Sequence, residues 1–91
     1  MELLFKKNVI GYIDNISNED KWFHGVFTQN DNFYYYENFF EAIVCEDGFD
    51  KTQFDDELLN DNNWNINDNG DIIGIYIPAI YTDGDILFRY R

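Results

Sequence analysis

The sequence has one cysteine, one proline and one histidine, and these scarcities exclude several kinds of chemistry. With Cys45 alone, the chain has no internal disulfide framework, which fits a reducing cytosol. No H-x-x-x-H or C-x-x-C spacing is available for a metal site. His24 lies within a predicted strand and Ser17, the one serine, lies in a turn, so no spacing supports a Ser–His pair. The sequence predicts a non-enzymatic protein without cofactor or metal, and leaves a role for His24 open.

Basic residues and long apolar runs are also lacking. Six Lys and Arg stand against eighteen Asp and Glu, a net charge of −12. This sign opposes binding to nucleic acid or to an anionic membrane, because both need cationic side chains on the contact face. No apolar run approaches the roughly 18 residues that span a bilayer, and the first seven residues do not have the charge order of a signal peptide. We therefore expect a soluble cytoplasmic protein.

Aromatic residues, in contrast, are abundant. They make up 20% of the 91 residues, and hydrophobic residues make up 45%, which is enough to form one core. We expect a single acidic α+β domain over residues 1–91. The predicted core residues are Trp22, Phe27, Phe40, Ile43, Leu58, Ile75 and Phe88.

Apolar periodicity predicts strands at both ends of the chain. The N-terminal strands are Leu3–Phe5, Val9–Ile16 and Trp22–Thr28, with the last two antiparallel. The C-terminal ones are Trp64–Ile66, a β-branched central strand over Ile72–Ile77, and Ile86–Tyr90. Asn67–Gly70 and Asp83–Gly84 are the predicted hairpin turns. The spacing of Asn65, Asn67 and Asn69 imitates half of a calcium loop, but Tyr76 stands where a bidentate Glu belongs, so we expect only a turn.

Helical spacing predicts two helices in the middle of the chain. The first is capped by Asp31 or Asn32, carries an apolar stripe from Phe33 to Val44 and ends near Gly48. The second begins at Thr52, with Phe54, Leu58 and Leu59 facing inward. The predicted fold is an antiparallel β-sheet with two helices packed on one face, in the order β-β-β-α-α-β-β-β.

Acidic side chains crowd these two helices. Glu37 and Glu41 are like charges four positions apart, and Glu46, Asp47, Asp50, Asp55, Asp56, Glu57 and Asp61 follow. Such a cluster either keeps the surface solvated or complements a basic partner. We take Glu37, Glu41, Asp55, Asp56 and Glu57 as the candidate partner-binding residues.

Three segments resemble a loose group of small bacterial domains that have no assigned activity. The segments are Gly11–Ile16, Asp20–Phe27 and Ile86–Tyr90, and the pattern is G-x-I-x-N, D-x-x-W-x-x-G-x-F and a terminal F-R-Y. The middle of the chain departs from that pattern, because it is shorter and more acidic. The resemblance covers about a third of the chain and implies no site residues. Small acidic α+β bacterial proteins also include immunity proteins that neutralise toxins, which is an association by class only.

Three functions remain open at this stage. The leading hypothesis is a non-enzymatic protein-binding module of the immunity or inhibitor type, whose acidic face docks on a basic protein such as a nuclease toxin. The alternative is a phage DNA mimic or anti-restriction protein that uses the same charges. A small ligand-binding domain or enzyme using Trp22, His24, Tyr34 and Tyr35 is the third. The oligomeric state is left open.

Overall fold

Antiparallel strands are the main regular structure of the described chain. The computed structural model describes residues 1–45, 48 and 51–91, with only the backbone of residue 51. Seven strands lie in this part of the chain: β1 (Glu2–Phe5), β2 (Asn8–Glu19), β3 (Trp22–Gln29), β4 (Trp64–Asp68), β5 (Asp71–Gly74), β6 (Ala79–Ile80) and β7 (Asp85–Phe88). They form one sheet in the order β5-β4-β1-β2-β3-β7-β6.

The predicted hairpins are confirmed, and each has the backbone conformation its sequence favours. Asn69 and Gly70 both have positive φ, 53° and 98°, as the two central residues of a type I′ turn require between β4 and β5. Gly84, with φ of 96°, precedes β7. Asp83 Oδ1 supports that turn by accepting a hydrogen bond from the Asp85 N–H at 3.1 Å.

The sheet closes on itself, and this corrects the predicted central strand. The run Ile72–Ile77 does not form one inner strand, because β5 ends at Gly74 and lies at one end of the strand order. The chain then crosses to the other end, where Ile75 pairs with Tyr90. The Tyr76 N–H donates to the Arg89 carbonyl at 3.1 Å. The β-branched run therefore pairs with two neighbours in succession: with β4 as far as Gly74, and with the segment after β7 from Ile75 on.

One helical segment, not two helices, covers the sheet. A 3-10 turn over Asp31–Tyr36 continues into α1 (Glu37–Ile43), 13 residues in all. The N-cap is Asn30 rather than the predicted Asp31 or Asn32. The Asn30 side chain accepts a hydrogen bond from the Asn32 N–H at 3.0 Å. The α-helix ends at Ile43, well before Gly48. The prediction of two helices on one face of the sheet is wrong.

The predicted second helix is instead a series of short turns. Lys51–Gln53 is a 3-10 turn, and the Leu58 N–H donates to the Asp55 carbonyl at 3.0 Å, three residues back rather than four. The segment is held by tertiary contacts, since Phe54 packs on Phe39 and the Trp64 indole donates to the Leu58 carbonyl at 2.9 Å. Short helices are only marginally stable in water. Because tertiary contacts already hold this acidic stretch, it would gain little free energy by forming a helix.

The core lies inside the closed sheet and beneath α1. Phe27, Phe40, Ile75 and Phe88 are buried as predicted, whereas Ile43 and Leu58 are only partly buried. Trp22 is 43% exposed, so its predicted place in the core is wrong. The other buried members are Leu3, Leu4, Phe5, Ile10, Ile13, Phe33, Phe39, Trp64, Ile66, Ile80 and Ile86.

Candidate functional site

Glu37 and Glu41 lie on the rim of a groove between α1 and β6. They are one helical turn apart on the same side of α1, and both are exposed. The groove has a volume of roughly 240 Å³. Its apolar lining comes from Phe27, Phe33, Phe40 and Ile80, and its polar lining from Gln29, Tyr81 and Thr82 together with the two glutamates.

The chemistry of this groove suits one type of side chain. An apolar floor accepts a chain of methylene groups, and two carboxylates at the rim attract a cation. Lysine and arginine combine these two features. Neither Glu37 nor Glu41 forms an ion pair with a residue in the described part of the chain. Their charges are therefore available to a ligand.

The other three candidate residues lie on a different side of α1. Asp55, Asp56 and Glu57 are exposed on the turn segment that follows Phe54. Phe54 packs against Phe39, with ring centroids 5.3 Å apart. Phe39 is two positions from each of Glu37 and Glu41, which is roughly 200° around a helix. The fold thus separates the predicted acidic face into two patches, and the groove described above lies at the first.

Part of the second patch is already paired. Lys6 Nζ lies 2.8 Å from Glu57 Oε2, and both side chains are largely in solvent. An exposed pair of this kind contributes little to stability. The Lys6 charge nonetheless offsets part of the Glu57 charge that a basic partner would meet. The acids Glu46, Asp47 and Asp50, which the sequence adds to this cluster, lie outside the described residues.

Two tyrosines beside the groove are the most exposed aromatic residues of the described chain. Tyr34 is 77% exposed and Tyr35 is 78% exposed, with ring centroids 5.9 Å apart in an edge-to-face arrangement. They precede α1 directly, within the 3-10 turn. Tyrosine is favoured in protein interfaces because it combines a large apolar ring with a hydroxyl group. The sequence analysis considers this pair only as part of a small-ligand site. The pair follows Phe33, which faces the core, and therefore lies off the buried side of the helical segment. That spacing is the signal in the sequence for its exposure.

His24 and Trp22 lie at the far end of β3, on the outer face of the sheet. From Trp22 to Gln29, where β3 ends beside the helical segment, the strand spans about 23 Å. The structure therefore does not bring these two residues together with Tyr34 and Tyr35.

The register also pairs Ser17 with His24, which the sequence does not indicate. No hydrogen bond joins their side chains within the described structure. His24 Nε2 lies 3.7 Å from Asp85 Oδ2, and both side chains are about half exposed. A working nucleophile and base need a hydrogen bond and an oriented third group. This geometry gives no support to catalysis, and the absence of enzyme activity stays a prediction.

In the part of the chain that the structure describes, no group of three or more His, Cys, Asp or Glu residues has metal-binding geometry. Among the same residues, no helix has the length and apolar character needed to cross a bilayer.

Comparisons with known protein families, with curated proteins and with solved structures gave no match to this chain. The resemblance to small bacterial domains is therefore untested.

Proposed function

We propose that this protein is a non-enzymatic binding module of the immunity or inhibitor type, whose groove beside α1 receives a Lys or Arg side chain of a basic protein. The observation that carries the proposal is the groove itself, in which Glu37 and Glu41 stand over an apolar floor. A toxin of basic character is the partner class we favour, and the cytoplasm is the expected compartment.

The arrangement of charge supports this proposal because it is unfavourable for the free protein. Like charges four positions apart on a helix destabilise it by a few tenths of a kcal/mol. Here Glu37 and Glu41 have that spacing, and no basic side chain of the described residues pairs with either. A cation bound between them would relieve the repulsion. The long-range field of a molecule with net charge −12 would also attract a basic partner.

The surroundings of the groove supply the rest of an interface. Tyr34 and Tyr35 extend the surface in front of α1 and can pack on a partner with little loss of side-chain entropy. Asp55, Asp56 and Glu57 would join the contact only if the partner reached around α1. A DNA mimic would instead use both acidic patches at once, because it imitates a run of phosphates.

The proposal can be tested with a minimal ligand. The ¹⁵N-labelled protein would be titrated with acetyl-Gly-Arg-Gly-amide and with the same peptide carrying citrulline, a neutral analogue of arginine. We expect saturable shifts at the amides of Glu37, Glu41, Tyr81 and Thr82 with arginine, and at least tenfold weaker binding with citrulline.

A pair of double variants provides the control. Glu37→Gln with Glu41→Gln should abolish the arginine-dependent shifts. Asp14→Asn with Asp71→Asn changes the net charge equally but alters two exposed residues that do not line the groove, and it should leave the shifts in place. Equal binding of the two peptides, or shifts centred on residues 55–57, would contradict the proposed site.

A further inference from the structure

A row of three side chains crosses the outer face of the sheet at the end away from α1. The pairing of Phe23 with Phe88 places Trp22 opposite Arg89, and the bridge from Ile75 to Tyr90 places Tyr76 on the other side of Arg89. The Arg89 Cζ lies 5.6 Å from the Trp22 ring centroid and 5.2 Å from the Tyr76 ring centroid. The guanidinium group is thus held between two half-exposed aromatic rings.

Apart from its contacts with these two rings, Arg89 has no partner for its charge in the described structure. Its Nε is buried and has no hydrogen-bond partner, and no described carboxylate lies within ion-pair distance. Arg91 shows the opposite behaviour two residues later. Its guanidinium donates to the carbonyls of Ile75 and Trp64 and to the side chains of Asn62 and Asn65, at 2.8 to 3.2 Å. A structural arginine in this protein therefore forms four hydrogen bonds, whereas Arg89 Nε forms none.

A hollow adjoins this row. It has a volume of roughly 370 Å³ and is lined by Trp22, His24, Leu87, Glu19 and Asp20. Trp22 belongs to both the hollow and the row, and Leu87 of β7 lies two positions before Arg89 in the chain. The apolar side chains of Trp22 and Leu87 thus lie next to the Arg89 cation.

We propose that this row and hollow bind a small apolar carboxylate, with the carboxylate on the terminal nitrogens of Arg89 and the apolar part against Trp22 and Leu87. A guanidinium group presents parallel donors that match the two oxygens of a carboxylate. The Trp22 and Tyr76 rings flank the guanidinium group, and its terminal nitrogens, which are not among the buried atoms without a partner, remain for the ligand. Glu19, Asp20 and Asp85 lie on this surface and repel a dianion such as phosphate about twice as strongly as a monoanion, so the proposed ligand carries a single charge.

Trp22 is a convenient reporter of binding, because the other tryptophan, Trp64, is fully buried. The experiment titrates the full chain with phenylacetate and, in parallel, with phenylacetamide, and follows tryptophan fluorescence together with the Arg89 Nε–H resonance. We expect saturable binding of phenylacetate and at least tenfold weaker binding of the amide. Equal binding of both compounds, or no saturable binding of either up to 50 mM, would overturn the proposal.

Two variants assign the effect to Arg89. Arg89→Met should abolish phenylacetate binding, and Arg89→Lys, which keeps the charge but loses the planar fork, should weaken it several-fold while preserving the fold. Lys21→Gln removes one positive charge next to Trp22 and should leave binding unchanged. If Arg89→Lys and Arg89→Met, each shown by circular dichroism to be folded, bind phenylacetate like the parent, the site is not at Arg89.

Discussion

One tryptophan of this chain is exposed and the other is buried. The alternation of side chains along a strand explains the exposed one. The sequence predicts both Trp22 and Phe27 in the core, but residues five positions apart in a regular strand point to opposite faces. Phe27 points inward and Trp22 points outward over Arg89. Trp64, which the sequence does not single out, is fully buried, and its ring centroid lies 4.9 Å from that of Phe5.

This difference predicts two different costs of truncation. Trp64→Ala should lower the free energy of unfolding by about 3–5 kcal/mol, because it opens a cavity and leaves the Leu58 carbonyl without its indole donor. Trp22→Ala should cost about 1 kcal/mol or less, as is usual for exposed sites. Urea unfolding followed by far-ultraviolet circular dichroism measures both values. Equal costs for the two variants would contradict the placement of the core.

Tyr36 gives a prediction about alkaline pH. Burial raises the pKa of its phenol, with smaller opposing effects from the Lys6 charge and a hydrogen bond from Asn8. Because the folded state holds this proton to a higher pH than the unfolded chain, the contribution to stability is complete below the ordinary tyrosine pKa of about 10. It is lost as the pH rises through the folded pKa.

The matched variant is Tyr36→Phe. In a spectrophotometric titration, the absorbance difference between parent and variant should show one phenol that ionises at a higher pH than a free tyrosine, whose pKa is about 10. The stability of the parent should also fall more steeply than that of the variant over the same alkaline range. A difference spectrum that titrates below that range would show that burial does not control this group.

At the scale of elements, local sequence patterns predict well where strands form, but they predict poorly which strands pair with each other. The turn residues Asn69, Gly70 and Gly84 identify two hairpins because few other residues adopt positive φ. The closure of the sheet depends on Ile75 pairing with Tyr90, a contact between distant parts of the chain that no local pattern encodes. The acid-rich segment after Thr52 has helical spacing, yet contacts from Phe39 and Trp64 fix it as turns.

The same limit applies to the candidate site. The spacing of Glu37 and Glu41 already places both on one side of a helix, as observed. Nothing in the sequence indicates that β6 would lie beside them and form a groove, or that Asp55, Asp56 and Glu57 would lie on another side. These relations depend on tertiary packing.

Arg91 connects the two parts of the chain that meet where the sheet closes. It packs against Gly74, where a Cβ would lie 2.4 Å from an Arg91 terminal nitrogen, and it bonds to two carbonyls and two side-chain amides. Arg91→Ala should therefore cost on the order of 1–3 kcal/mol and increase hydrogen exchange at Ile75 and Tyr76. Lys21→Ala, at an exposed turn, is the control. Unchanged exchange at Ile75 would show that closure does not depend on Arg91.

At the scale of the whole molecule, the charge is large and only a small part of it is neutralised. The described ion pairs are Lys6 with Glu57, and His24 with Asp85 when the imidazole is protonated. If the acids served solubility alone, their exact positions would matter little. The proposed function differs because it makes two specific glutamates indispensable for partner binding.

Capture of partners from lysate of the cells that produce the protein tests this claim most directly. Three immobilised forms would be compared by quantitative mass spectrometry: the parent, Glu37→Gln with Glu41→Gln, and Asp14→Asn with Asp71→Asn. We predict a basic polypeptide that the parent and the Asp14/Asp71 variant retain, that the Glu37/Glu41 variant loses, and whose capture weakens as salt screens the charges. Identical partners on all three folded forms, or none on the parent, would contradict the account.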